Sequence, residues 1–352
     1  MKKISGIINI TLALLTSLLF ITTAAYGTSR EALAAASYTQ ISERKTVIPC
    51  GTPFGIKMLT NGVVVTDFGA VNGRLSQQSP AEAAGIRKGD IIKSVNGIDV
   101  TDSISVSAAV QTDPSCTINV LRGGEELTFT AKALESDTDG EYKLGMWTKD
   151  SVAGIGTMTF YDPETCTFAG LGHGVSDTSS GVRMPLLSGE ITAVSITDVI
   201  RGASGSPGEL CGAFISSVEL GTITLNSDFG VFGTSDTSPI LSEPVEIAGK
   251  DEVKAGRAVI YTTTAGMMPE EYEIEIVSIE RGSDSPIRNM TIRITDPELL
   301  SRTGGIVQGM SGSPILQDGR LVGAVTHVLV NDSAMGYAVF AENMLKACEP
   351  DM

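Results

Sequence analysis

From position 143 to about 294 the chain breaks into short β-branched or alternating runs separated by Gly, Ser and Asp. Residues 154–160, 190–196, 221–225, 258–263, 272–279 and 290–294 are such runs, and no long helical period interrupts them before residues 342–347. Regularly spaced strands bounded by turn signals predict a sandwich or barrel, and the span has room for two β units. The 39 glycines and 14 prolines suit that pattern, because every strand end needs a turn. At 352 residues the chain exceeds what one core supports, so at least two domains are expected.

Charge narrows the partners. Lys and Arg number 25 against 41 Asp and Glu, a formal charge of −16. Without a basic stripe such a chain repels phosphate backbones, and nucleic-acid binding is not expected. The five cysteines, Cys50, Cys116, Cys166, Cys211 and Cys348, are far apart and form no C-x-x-C pair. That spacing predicts neither a zinc site nor a disulfide-dense framework, and leaves a single bridge open in an oxidising compartment.

At the amino terminus Lys2 and Lys3 precede a mostly apolar stretch, and positions 4 to 29 carry no charge. Ala25-Tyr26-Gly27 offers a small-x-small cleavage pattern. Residues 1–27 are therefore expected to be a signal peptide or a membrane anchor, and the body to lie outside the cytoplasm. Residues 28–51 read as a spacer.

Residues 52–133 read as one small domain. Gly62-Val63-Val64-Val65-Thr66 is a strand, and Ser79-Pro80 starts a short helix that Gly85 stops. Asn96-Gly97 marks a hairpin. The run SPAEAAGIRKGDIIKSVNGIDV resembles the most recognisable stretch of PDZ domains. The resemblance implies a groove that takes an extended peptide as an added strand, with a carboxylate-binding loop near Pro53-Phe54-Gly55-Ile56. The polar, acidic residues 134–142 read as a linker, and 143–352 as the second domain.

Only two histidines exist in the chain. His173 sits in the bend Gly170-Leu171-Gly172-His173-Gly174, where small neighbours would let a substrate approach. The motif Gly309-Met310-Ser311-Gly312-Ser313-Pro314 resembles the nucleophile turn of chymotrypsin-like serine peptidases. In such a turn the bend presents Ser311 Oγ while the amides of Gly309 and Ser311 converge on the developing oxyanion. Gly202-Ala203-Ser204-Gly205-Ser206-Pro207 has the same spacing. Ser204 follows His173 too closely for the two to come from separate barrels, whereas Ser311 follows a barrel's length later and precedes a hairpin. Ser311 is the expected nucleophile and Ser204 a structural turn. A third group should orient His173: Asp296 ends a strand shortly before Ser311, with Asp177 and Asp332 as competitors and Asp177 suited to capping its own turn. His327, on the strand 324–330, points either into the core or into a substrate pocket.

GLGHGVSD, ITDPELLSRTGGIVQGMSGSP and LVGAVTHVLVNDSAMGYAVFAENML resemble the SpoIVB family, the exported PDZ-containing serine peptidases of endospore-forming bacteria. The likeness runs over nearly the whole chain. It implies a mostly β protein, a PDZ domain followed by a chymotrypsin-like double β-barrel peptidase domain, with His173, Asp296 and Ser311 as the catalytic set. It also implies export across or anchorage to the forespore membrane, self-cleavage, and cleavage of a membrane-bound inhibitor of an intramembrane protease in the space between forespore and mother cell. That cut would lead to activation of the late mother-cell sigma factor. The PDZ groove would take a peptide ligand or the chain's own segment. No metal or organic cofactor is expected. The rival readings are a general envelope quality-control serine protease, which usually carries its PDZ after the peptidase domain, and a catalytically silent PDZ scaffold.

Overall fold

Period-2 patterning builds almost every element. In the strand Glu270–Ile279, Tyr272, Ile274 and Ile276 are buried while Glu271, Glu273 and Glu275 face solvent. The computed structural model describes residues 44–71, 79–236, 242–282 and 285–348. The signal segment and residues 28–43 of the expected spacer lie outside the described residues. From Thr46 the chain forms one unit.

Its first part comprises β1 (Thr46–Pro49), β2 (Pro53–Phe68), α1 (Pro80–Ala83), β3 (Ile91–Val95), β4 (Ile98–Asp99), α2 (Ser103–Thr112), β5 (Ser115–Arg122), β6 (Glu125–Lys132), β7 (Leu134–Glu135) and β8 (Tyr142–Lys143). Then follow β9 (Met146–Asp162), β10 (Thr167–Gly170), β11 (Leu186–Ile200), β12 (Glu209–Ser227), β13 (Gly230–Thr234) and β14 (Val245–Glu246). The second part is β15 (Gly256–Thr262), β16 (Glu270–Ile279), β17 (Met290–Ile294), α3 (Pro297–Thr303), β18 (Pro314–Gln317), β19 (Arg320–Leu329), β20 (Asp332–Phe340) and α4 (Ala341–Cys348).

Two barrels result. β2, β9, β10, β13, β12 and β11 pair in that order, and β11 returns to β2, closing a ring. β15, β16, β17, β20, β19 and β18 close the second. Closure leaves neither ring an open edge. Phe54 and Phe168 meet edge to face at 6.1 Å in the first core, and Ile274, Ile292, Val325 and Phe340 help fill the second. In each barrel the loop after the third strand in chain order, β10 or β17, carries one of the two candidate motifs of the sequence, so the loops of His173 and Ser311 occupy equivalent places.

The PDZ unit is inserted into the first barrel. Residues 53–59 pair with 151–157 of β9 inside the barrel, whereas 64–68 pair with 146–149 inside the PDZ unit. The expected boundary at 52 is thus too early: residues 53–59 are barrel strand, and of the supposed spacer Ile48 and Pro49 pair with β9 while Thr46 and Val47 pair with β14. Thr60-Asn61-Gly62 forms an irregularity within one strand, where Thr60 Oγ1 donates to Gly62 O at 2.6 Å and the register slips between Leu59 and Val64. Nor is 134–142 a linker. β7 and β8 form a hairpin closed by the Ser136 amide on Glu141 O at 2.8 Å, and the chain then re-enters the PDZ sheet.

The local PDZ signals appear as expected. Ser79 caps α1 with Pro80 in its first turn, Asp102 and Ser105 form a capping box on α2, and Asn96 and Gly97 turn the β3–β4 hairpin with φ of 53° and 75°. Asp90 is buried and held by Arg122 at 2.6 Å. The carboxylate loop, however, does not lie at residues 53–56, which are buried in the barrel. The groove of this unit runs between α2 and the start of β9, a cleft of about 750 Å³ lined by Val106, Val110, Leu144, Gly145, Met146 and Trp147 among others.

Candidate active site

Ser311 stands on the bend between α3 and β18. Gly309 and Gly312 hold φ of 95° and 98°, a region that L side chains avoid. A Cβ on Gly312 would lie 2.0 Å from Thr157 O and 2.5 Å from Leu171 N, so the first barrel presses directly on this turn. β9 clamps it with three bonds. Thr157 Oγ1 donates to Gly309 O at 2.7 Å, Thr157 N to Ser311 O at 3.0 Å, and Thr159 Oγ1 to Gly312 O at 2.8 Å. The amides of Gly309 and Ser311 donate to nothing among the described residues, which leaves both free for a substrate oxygen. Ser311 Oγ donates to Thr326 O at 2.7 Å.

His173 lies on the loop from β10 to β11. Gly174 is required there, because a Cβ would meet Ser227 O at 2.5 Å. The loop is held by Asn226, whose side chain accepts from Val175 N at 2.8 Å and donates to Val175 O and Met184 O at 2.9 Å each. Sequence reasoning missed this residue: Asn226-Ser227-Asp228 reads as an ordinary turn signal. Asp177 receives Ser179 N, Ser180 N and Ser180 Oγ, and Lys149 of β9 at 2.7 Å. Burial works against its charge, yet Lys149 and Ser180 keep its carboxyl below the ordinary value. It caps its own turn, as one sequence reading held.

His173 Nδ1 is 3.0 Å from Gly174 O, and its ring centroid is 4.8 Å from that of His327 at an interplanar angle of 38°. Burial pushes the His173 pKa down, opposed only by the Gly174 carbonyl. Burial first, then the neighbouring His173 and Arg288, push His327 down to about 4. His173 separates two depressions. One, of about 250 Å³, is shared with Ser311, Gln308, Gly309, Ile155 and Leu171. The other, of about 460 Å³, contains His327, Asp177, Asp228 and Ile287. His327 lines the second depression and not the one that Ser311 lines.

Asp296 is not brought to His173. Its Oδ1 accepts the amides of Glu298 and Leu299 at 2.9 and 3.1 Å, its Oδ2 that of Glu273 at 3.4 Å, and it lines neither depression. The physical reason is the first turn of α3, whose orphan amides it caps ahead of Pro297. Asp332 likewise caps a local turn, through Ala334 N at 3.1 Å. Ser204 Oγ donates to Asn331 O at 2.8 Å, and Ala203 and Ser206 close a tight turn. That turn supports the nucleophile loop from outside: Gln308 N donates to Gly208 O and Leu210 N to Gln308 O, at 2.8 and 2.9 Å.

Among known proteins, the SpoIVB peptidase S55 family model matches residues 140–345 and a PDZ domain model matches 74–122. A serine protease HTRA1B of Danio rerio is 38% identical over 60 residues, 17% of this chain and 13% of that protein. The chain thus spans only a small part of this relative. The PDZ domain of an SdrC-like protein from Listeria monocytogenes overlays 25% of this chain and 87% of that chain, with 21% identity and a TM-score of 0.21. The active form of the Rv3671c protease from M. tuberculosis overlays 55% of this chain and 72% of its own, with 15% identity and a TM-score of 0.34. Since the peptidase model covers more than half of the sequence and encloses both His173 and Ser311, this chain belongs to the SpoIVB peptidase S55 family and carries a PDZ domain.

Proposed function

We propose that the protein is a signalling peptidase of endospore formation. It is exported across or anchored to the forespore membrane, cleaves itself, and cuts a membrane-associated regulator in the space between forespore and mother cell. Loss of that regulator frees an intramembrane protease and leads to activation of the late mother-cell sigma factor. Family membership supports this reading, together with the Lys2-Lys3 start and the apolar run behind it.

The observation that carries the chemistry is the shared depression of His173 and Ser311, built by equivalent loops of two barrels. In the proposed mechanism Ser311 Oγ leaves Thr326 O, attacks the scissile carbonyl and passes its proton to His173 Nε2. The imidazolium then protonates the leaving amine, and water repeats the cycle on the acyl-enzyme. The free amides of Gly309 and Ser311 receive the oxyanion. Burial lowers the His173 pKa and so favours the uncharged form, which accepts a proton.

The PDZ unit binds peptide, and we place the ligand along the open side of β9 facing α2, as an added strand. The regulator's tail or the chain's own segment is the proposed occupant. Membranes from sporulating cells, incubated with the purified enzyme, test the reading. A membrane protein cut by the parent and spared by Ser311→Ala is expected. Absence of any such product, or equal cutting by the variant, contradicts it.

A further inference from the structure

An unpaired strand edge is a template for a further strand, because its outward amides and carbonyls lack partners. β9 has such an edge. From Met146 to Thr157 it pairs with β2 on one side, and β10 takes the other side only from Met158 onward. Apart from β2, no backbone group of residues 146–156 has a hydrogen-bond partner among the described residues. The slips in this pairing fall on β2, which supplies the extra residues, so the β9 edge itself runs unbroken. Both depressions that concern substrate lie on it. The PDZ groove touches its start, at Gly145, Met146, Trp147 and Thr148, and the depression of His173 and Ser311 touches Val152, Gly154 and Ile155. Between them Lys149 and Asp150 engage their side chains, with Asp177 and Ser103 N, and leave their backbone edge open.

The two ends fix a direction. At the start of β9, Gly145 holds a φ of 68°, and the amides of Leu144 and Gly145 donate to nothing among the described residues. Successive free amides at a bend receive an anion, and for a peptide strand that anion is its terminal carboxylate. At the other end the free amides of Gly309 and Ser311 await the scissile carbonyl. A peptide that passes Ser311 first and ends at Gly145 runs antiparallel to β9. We propose that the substrate is a carboxy-terminal tail laid along β9 as one continuous added strand, held by its carboxylate in the PDZ groove and cut where the same strand reaches Ser311. Val106, Val110 and Leu144 line the groove beside the carboxylate, so the tail ends in an apolar residue. From Trp147 to Ile155 is eight residues (155 − 147). At the strand rise that is about 26 Å, so the tail released is about nine to eleven residues long. Distance from the terminus thereby selects the bond.

The inference rests on Ser311 and His173 acting as nucleophile and base and on the PDZ unit taking peptide. One peptide bond breaks and one water is consumed: the body of the substrate keeps the new carboxylate, and the tail leaves with the new amine. A tail, unlike an internal segment of the chain, brings the free carboxylate that the open amides of Leu144 and Gly145 suit. Trp147 is the only tryptophan in the sequence, lines the groove and is 68% exposed, so its emission reports occupancy.

The test uses the full chain and synthetic peptides of about 16 residues, long enough to span the edge and the cleft. They are randomised except for a terminal Val and made both as free acids and as carboxy-terminal amides. Cuts are mapped by mass spectrometry. Free acids should be cut mainly about nine to eleven residues before their end, and amides at least about tenfold more slowly and without that preference. A free acid that is cut is then lengthened or shortened by a residue pair between the cut and the terminus, and the cut should move with the terminus. In Ser311→Ala, which binds without cutting, Trp147 emission should shift to the blue with the free acid and stay unchanged with the amide. A cut that keeps to the same bond, acids and amides cut alike, or a labelled parent that cuts neither set overturns the proposal. Labelling with a fluorophosphonate and the emission of Trp147 separate this failure from failure of the reading beneath it. A parent not labelled at Ser311 contradicts the assignment of the nucleophile, and emission unmoved by any peptide contradicts peptide binding by the PDZ unit; either result overturns the proposal as well.

Discussion

His173 and His327 both lose water on folding, and an imidazole out of water holds a proton poorly. The unfolded chain, with imidazoles near about 6.5, therefore binds more protons than the folded one in weak acid. Two outcomes follow in sign. Stability should fall as pH drops below about 6.5 toward 4, where His327 titrates in the fold. The acid limb of activity should lie below about 6.5, because burial lowers the His173 pKa. A kcat/KM profile on a soluble peptide whose acid limb lies above about 6.5 would contradict the buried environment of His173. The sequence alone suggests the opposite shift, upward, through a carboxylate partner. The Ser311 and His173 motifs were legible because each is local: glycines at the bend, small residues beside the histidine. The neighbourhood of His173 was not, since it depends on two barrels meeting. Asp296 illustrates the trap, because Asp-Pro-Glu ending a strand is equally a helix start. Asp296→Ala should cost about 1 kcal/mol and displace the loop that α3 feeds, lowering both melting temperature and kcat. Asp296→Asn, also a good cap, should leave both nearly unchanged. If instead Asn abolishes kcat in a folded protein, Asp296 acts on the base after all.

Among the elements, β9 joins most of the function. Its first residues form one wall of the peptide groove, Lys149 binds Asp177 on the histidine loop, and Thr157 and Thr159 clamp the nucleophile turn. A ligand laid along its start thus acts on the strand that positions the chemistry, a direct physical route for the proposed regulation. Lys149→Met should destabilise by about 1–3 kcal/mol, since Asp177 keeps its Ser179 and Ser180 donors but loses a charged one. It should lower kcat more than it raises KM, and unchanged kcat would show that the ion pair does not hold the loop. The strands of the barrels were largely visible as alternating runs. The long β2 and β9 were not seen whole, because the polar Thr60-Asn61-Gly62 interrupts the pattern without ending the strand. This changes the deletion that is informative. Removing residues 52–132 takes away a barrel strand and should abolish folding. Replacing 60–150 by Asn-Gly should leave a folded barrel, because Leu59 and Ser151 are already cross-strand neighbours. Equal solubility of the two truncations, measured by expression and thermal melting, would contradict the inserted arrangement.

At the scale of the molecule, two closed barrels bring one loop each to a common cleft, and the twin serine motifs stand in different places. Ser311 stands in that cleft with free amides beside it, whereas Ser204 holds Asn331 O in a turn that braces Gln308. The six-residue pattern could not separate them, and their place in the two barrels does. Labelling the full-length protein with a fluorophosphonate, followed by peptide mapping and repeated on Ser311→Ala and Ser204→Ala, tests this most directly. The adduct should lie on Ser311 in the parent and in Ser204→Ala, whose cost is about 1 kcal/mol of stability with little change in rate. It should vanish in Ser311→Ala, with kcat reduced by up to ~10⁶ and the fold intact. An adduct on the peptide containing Ser204, or hydrolysis surviving in Ser311→Ala, would contradict both the site and the two-barrel account of it.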